Sequence, residues 1–296
     1  TIIITLYVRV IFLENGQTGS HITVAVIDTG IYPHRDFGSR IAVFKDFING
    51  HSNAYDDNSH GTHVSGIIAG DGTASRGKYR GIAPGCNIAA VKVLDRNGEG
   101  SSKTVVEGIK WVIEHAEEYG IRIINLSFGT TPESTQGEDS VLVKAVEEAW
   151  DCGITVVSAA GNNGPGRGTV TVPGISRKII TVGSLDDRIY TDERGRKYAN
   201  YSGRGPTKSC IVKPEIVTAG SGIVSCSNKR DGYTVKSGTS MAAPIVTAAI
   251  ALLLQKKPYL TPAMVKMRLH DTAVPIRLPK EQQGWGMLDV KALLDS

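Results

Sequence analysis

Apolar, β-branched runs of strand length recur along the chain, separated by longer segments in which apolar residues return every three or four positions. The runs are HITVAVID (21–28), CNIAAVKVL (86–94), RIINLSF (122–128), GITVVSAAG (153–161) and KIITVGSL (178–185). Between them, SKTVVEGIKWVIEHAEEYG (102–120) and SVLVKAVEEAWDCG (140–153) carry the helical period, and each ends on a glycine, a helix-stop signal. Strands that are apolar on both faces need helices on both sides. The pattern therefore predicts an α/β fold, doubly wound, with a mostly parallel central sheet and helices on both faces.

A further helix is expected in SGTSMAAPIVTAAIALLLQKK (237–257), apolar almost all round and so buried through the centre of the fold rather than lying in a membrane. TTPESTQGEDS (130–140) and SLDDRIYTDERGRKYANYSGRGPTKSC (184–210) are polar and turn-rich and read as surface excursions. No repeat or linker divides this pattern, so residues 21–296 are expected to form a single domain, with 1–20 as an N-terminal extension. The apolar stretch in that extension, TIIITLYVRVIFL, is interrupted by Arg9 and too short to span a bilayer.

Composition narrows the classes. With 41% hydrophobic and 21% charged residues in 296 positions, a full-sized core is expected. The formal charge of +4 is scattered, so neither nucleic acid nor a membrane surface is an expected partner. Cys86, Cys152, Cys210 and Cys226 are far apart with no CxxC pair, which argues against a zinc motif and a disulfide scaffold and favours reduced thiols, although Cys210 and Cys226 could pair. The chain starts at Thr1, and no signal-peptide pattern is visible.

In open parallel sheets, ligands bind beyond the carboxyl ends of the strands, so polar residues that directly follow strands are the candidates for chemistry. Asp28 ends TVAVID, and Asn162 follows TVVSAAG. HGTHVSGIIAG (60–70) reads as a turn into a short apolar helix that holds His63 at its start, with His60 helping to orient the turn. Ser240 stands at the N-terminal end of its helix, before Pro244. A serine hydroxyl needs a base, a neutral imidazole titrates in the right range, and a buried carboxylate fixes the imidazole's tautomer. An amide such as Asn162 can donate to an oxyanion. A metal site built from His60 and His63 with Asp56 and Asp57 is the alternative reading of the same segment, weakened by the lack of a recognisable third-ligand motif.

Four separated motifs, VAVIDTG around Asp28, HGTHVSG around His63, SAAGN ending at Asn162 and SGTSMAAP around Ser240, occur in the order Asp, His, Ser. On these residues the chain resembles a subtilisin-like serine protease, closest to the bacterial intracellular branch. The resemblance implies a serine endopeptidase acting on polypeptides through an acyl-enzyme: Ser240 the nucleophile, His63 the base, Asp28 its orienting carboxylate, Asn162 and the Ser240 N–H the oxyanion donors. It also implies a substrate groove with Ser127, Phe128 and Gly129 along one wall, Ala159, Ala160 and Gly161 along the other, and Gly98, Glu99 and Gly100 at the edge that pairs with substrate backbone.

No cofactor is implied for the chemistry and no metal ligand is assigned. Structural calcium is frequent in such proteins, and Asp36 matches a residue that can serve one site, but GDGTASRGKYRG (70–81) offers Arg76, Lys78 and Arg80 where further ligands are expected. The motifs SGRGP (202–206) and IVTAG (216–220) also depart from the family's usual wording. A cytoplasmic location is expected, with secretion as the alternative. The rival reading is a catalytically silent relative that binds peptides. Oligomeric state and side-chain preference are not encoded in any motif.

Overall fold

Asp28 closes β1 (Thr23–Asp28), an inner strand of a seven-stranded sheet in the computed structural model, which describes residues 16–131, 137–187, 190–191, 197–198 and 200–296. The sheet's other strands are β2 (Ile41–Asp46), β3 (Asn87–Lys92), β4 (Ile121–Leu126), β5 (Thr155–Ala159), β6 (Ile180–Ser184) and β9 (Ile216–Thr218), in the order β2-β3-β1-β4-β5-β6-β9, so that β1 pairs with β3 and β4. Every pairing in it is parallel. Two short antiparallel pairs lie outside it: β7 (Tyr190–Thr191) with β8 (Lys197–Tyr198), and β10 (Ile223–Cys226) with β11 (Tyr233–Lys236).

The period-2 alternation of strands sorts side chains to two cores. Val24, Val26, Ile88 and Ala90 enter one; Ala25, Ile27, Ala89 and Val91 enter the other. The first is completed by helices α1 (His60–Ala69), α5 (Thr239–Lys256), α6 (Pro262–Thr272) and α7 (Val290–Asp295). The second is covered by α2 (Ser102–Glu114) and α4 (Val141–Asp151). This is the expected doubly wound arrangement, and the sheet is fully parallel.

The five predicted strands and four predicted helices all exist, with differences at particular points. The helix expected over 102–120 is two: His115 departs from helical geometry, and α3 (Ala116–Tyr119) follows it. Ser101 and Ser140 cap α2 and α4 by accepting the backbone N–H groups of Thr104 and Val143. Along α5 every residue from Thr239 to Leu254 is buried except Ser240. It is the one helix among the described residues long and apolar enough to cross a membrane, and 83% of that stretch is buried inside the protein. Pro244 lies a turn deeper in α5 than a first-turn proline, so it offers no N–H to the Ser240 carbonyl four residues earlier.

The excursion at 184–210 is not wholly superficial. Tyr201 is buried, its hydroxyl bonded to Ser184 Oγ and Ser221 Oγ. Most of the expected extension, residues 1–15, and part of the polar stretch at 130–140 lie outside the described residues. All four cysteines are free, Cys86 and Cys226 buried and Cys152 and Cys210 exposed, so the Cys210–Cys226 pairing left open above is absent.

Candidate active site

The first turn of α1 meets the end of β1 because Gly61 permits it. A Cβ at that position would collide with the carbonyl oxygen of Gly30 and come within 3.2 Å of the Asp28 Cβ. The close approach sets His60, the first residue of the helix, against Asp28, whose carboxyl group is fully buried. His60 Nδ1 lies 2.8 Å from Asp28 Oδ1 and 3.0 Å from Oδ2. A carboxylate accepts only, so Nδ1 carries the proton and Nε2 keeps the lone pair. Asp28 Oδ1 also accepts the Thr29 N–H at 2.7 Å. Burial pulls the His60 pKa down, but the charge and hydrogen bond of Asp28 outweigh it, and the imidazole titrates above its ordinary value; Lys236 opposes the rise.

His63, expected above as the base, is somewhere else. It sits three residues on, ~4.5 Å deeper along the helix axis, with no solvent exposure. Its Nε2–H donates to the Ile223 carbonyl at 3.1 Å and the Thr234 carbonyl at 3.2 Å, which ties α1 to the β10–β11 hairpin. Its Nδ1 has no partner, so neither nitrogen bonds Asp28 or Ser240. Burial, with the charges of Lys236 and His60, takes its pKa down to about 3. The physical reason for the correction is where the helix begins. All of α1 beyond His60 is buried, and only His60 keeps a partly open side chain, 24% exposed.

The two aspartates of DDNSHGTH have separate structural duties. Asp56 Oδ1 accepts from Thr29 Oγ1, Asn58 N and Ser59 N, and its Oδ2 from the Thr62 backbone and hydroxyl. It thus anchors the N-terminus of α1 and the residue beside Asp28 on one carboxylate, with its charge at the favourable end of the helix dipole. Asp57 pairs at 2.7 Å with the buried Lys92 ammonium, which also donates to the carbonyls of Thr29 and Leu94. The alternative metal site made from these two aspartates and the two histidines is therefore not assembled.

Ser240 is the second residue of α5, preceded by Gly238 and Thr239. Asn162 Oδ1 accepts from the Thr239 N–H at 3.0 Å and the Thr239 hydroxyl at 3.1 Å. That fixes the amide's orientation and frees Nδ2 to donate; a Cβ on Gly238 would stand 3.2 Å from it. In the same first turn of α5 the Met241 N–H donates to the Gly238 carbonyl at 2.9 Å. α1 and α5 pack together on one face of the sheet. The structure thus pairs Asp28 with His60 at the start of α1, and Asn162 with Thr239 at the start of α5, on two helices that pack together, and leaves His63 out of both pairs.

Of the residues expected to line the groove, Gly129, Ala160 and Gly161 meet at Thr171, which the sequence reading missed. A side chain on either Gly129 or Gly161 would collide with Thr171. Its N–H donates to the Ala160 carbonyl at 3.0 Å, while Val172 exchanges backbone hydrogen bonds with Thr130. The segment 171–172 therefore bridges the wall of Ser127, Phe128 and Gly129 to that of Ala159, Ala160 and Gly161. Thr171 Oγ1 is buried and has no partner. Gly98, Glu99 and Gly100 are exposed on a turn held by Asp95, whose Oδ1 accepts the N–H groups of Asn97 and Glu99. Asn58 Nδ2 donates to the Arg96 carbonyl at 2.9 Å, tying that turn to the loop before His60.

Asp36 is buried, and its carboxylate is already engaged: Oδ1 accepts the Ala74 N–H, and Oδ2 the Tyr233 hydroxyl at 2.6 Å and the Cys226 thiol at 3.6 Å.

Comparison with known proteins gives a consistent picture. A family model described as the subtilase family, peptidase S8, matches residues 19–286. The serine protease AprX of Bacillus subtilis (strain 168) is 44% identical over 278 residues, which is 88% of this chain and 63% of that protein's own length. The chain therefore spans less than two thirds of that relative. Subtilisin DY of Bacillus licheniformis is 34% identical over 94% of this chain and 92% of its own. Among solved structures, sphericase superposes with a TM-score of 0.79 at 29% identity over 95% of this chain and 96% of its own. A cold adapted subtilisin-like serine proteinase does so with a TM-score of 0.72 at 30% identity, covering 90% of this chain and 87% of its own.

Proposed function

Because the chain belongs to the subtilase family, we propose that it is a serine endopeptidase that hydrolyses polypeptides through an acyl-enzyme, with Asp28, His60 and Ser240 as its catalytic residues. The observation that carries this reading is the hydrogen-bonded pair of Asp28 and His60 Nδ1, which leaves Nε2 as the base. Ser240 Oγ gives its proton to His60 Nε2 as it attacks the scissile carbonyl. The developing oxyanion takes hydrogen bonds from Asn162 Nδ2 and the Ser240 N–H. His60 then returns the proton to the leaving amine, and water repeats the sequence on the acyl-enzyme. Chemistry of this family needs no cofactor.

In the same reading the turn of Gly98, Glu99 and Gly100 pairs with substrate backbone as an added strand. The residue before the scissile bond enters between the two walls and meets Thr171. A cytoplasmic location accords with four free cysteines. The test is kinetic. Ser240→Ala abolishes peptide hydrolysis, and Asn162→Ala lowers kcat by about 10²–10³-fold with little change in KM, the loss typical of one oxyanion donor. Full activity in Ser240→Ala overturns the proposal.

A further inference from the structure

Outside the cleft, three buried side chains of metal-ligating type meet between the turn after β1 and the β10–β11 hairpin. His34, Asp36 and Cys226 each place a donor atom within 4.8 Å of the other two. His34 Nδ1 is 3.7 Å from Asp36 Oδ1, and Cys226 Sγ is 3.6 Å from Asp36 Oδ2. Two ligands at the usual Zn–N, Zn–O or Zn–S distances and a tetrahedral angle stand ~3.3–3.8 Å apart, so the His34–Oδ1 and Cys226–Oδ2 spacings each match a ligand edge, and the His34–Cys226 gap, within 4.8 Å, is the one that binding would adjust.

The geometry points to a structural site for a borderline-soft divalent cation of the zinc class, held by His34, Asp36 and Cys226. An imidazole, a thiolate and a carboxylate neutralise a dication, and the nitrogen and sulfur donors select against calcium, which takes six to eight oxygens. A second observation supports it. His34 has no solvent exposure at its side chain, yet Nε2 has no hydrogen-bond partner, and Nδ1 has only a long bond of 3.2 Å from the Asp36 N–H. The ring therefore has no strong partner to give up. Tyr233 Oη on Asp36 Oδ2 and the Ala74 N–H on Oδ1 would orient the carboxylate while the ion takes its remaining lone pairs, and the Cys226 thiol would exchange its contact with Oδ2 for the metal.

On binding, the Cys226 S–H bond breaks, the sulfur keeps the electron pair and bonds the metal, and the proton leaves to solvent. No electron is transferred. The ion would join residues 34–36 to the hairpin whose carbonyls hold His63. It would act on stability and not on the reaction.

Cobalt(II) is the probe, added to protein carrying Ser240→Ala to prevent self-digestion and Cys152→Ser with Cys210→Ser to remove the exposed thiols. The expected result is one equivalent of Co²⁺ per chain, a near-ultraviolet thiolate-to-cobalt charge-transfer band, its loss on adding Zn²⁺, and a rise in Tm with either ion. His34→Gln weakens binding at least about tenfold. Cys226→Ser removes the band. Absence of both band and Tm shift in the parent protein overturns the site without reliance on any site variant. A band that persists in folded Cys226→Ser overturns it as well, since Cys86 would then be the ligand.

Discussion

His60 Nδ1 and the two carboxylate oxygens of Asp28 stand 2.8 and 3.0 Å apart across 32 positions of sequence. That contact fixes which of two histidines in one helical turn can serve as a base. It also sets the acid side of the activity profile, because Asp28 raises the His60 pKa above 6.5 and the base works only when neutral. Activity should climb through a single ionisation above pH 6.5, read as log kcat/KM against pH. Asp28→Asn should cut kcat by about 10⁴-fold, because the carboxylate that fixes the tautomer is gone. An acid limb centred well below 6.5 in the parent protein would contradict the assignment.

Asp56 makes five hydrogen bonds that join Thr29, beside Asp28, to the N-terminal turn that carries His60. It touches no reacting atom, so it is a positioning residue. Asp56→Ala should cost at least about 3 kcal/mol of stability, since several buried donors lose a charged acceptor together. It should also lower kcat more than it raises KM. Urea unfolding in the Ser240→Ala background measures the first, and steady-state kinetics the second. A loss of under about 1 kcal/mol would show the network to be redundant.

The two histidines affect stability with opposite sign. His60 has a raised folded pKa, so its contribution is complete below the unfolded value of 6.5 and fades as pH rises through the folded one. His63 is depressed to about 3, so the unfolded chain binds the extra proton, and stability falls as pH drops from 6.5 towards 3. The slope from His63 is about 1.4 kcal/mol per pH unit. Tm measured from pH 7 to pH 4 in the Ser240→Ala background should fall less steeply in His63→Gln. Equal slopes would mean that His63 is not buried in its neutral form.

Thr171 touches the glycines of both groove walls, so its side chain should limit the residue before the scissile bond. Thr171→Gly should favour larger apolar side chains there by about 10–100-fold in kcat/KM over a small one, within the range expected for a few methylene-sized groups. A peptide-library cleavage profile reads this directly. An unchanged profile would place the pocket elsewhere.

Strands with both faces buried announce themselves, and β1, β3, β4, β5 and β6 were legible for that reason. The two edges were not: β2 (Ile41–Asp46) is only partly buried and lacks a continuous apolar run, and β9 (Ile216–Thr218) is buried but only three residues long. The hairpin β10–β11 is short and mostly half-buried, so its alternation is weak. Asp28, Asn162 and Ser240 stand out because each directly follows a strand or opens a helix. The choice between His60 and His63 depends on where α1 starts, and helix boundaries shift by a residue or two under small changes of capping. The useful signal was the apolar run after His63: Val64, Ile67 and Ile68 mark a helix buried all round, in which only the first residue can face a cleft. Thr171 and the His34, Asp36 and Cys226 group were illegible because they depend on loops meeting across the fold.

The most direct test is covalent labelling of Ser240 by a fluorophosphonate probe, compared between His60→Ala and His63→Gln and followed by mass spectrometry of intact protein. The parent and His63→Gln should label rapidly at Ser240, while folded His60→Ala should label at least about 10³-fold more slowly. Rapid labelling in His60→Ala together with its loss in folded His63→Gln would contradict the account and return the base to residue 63.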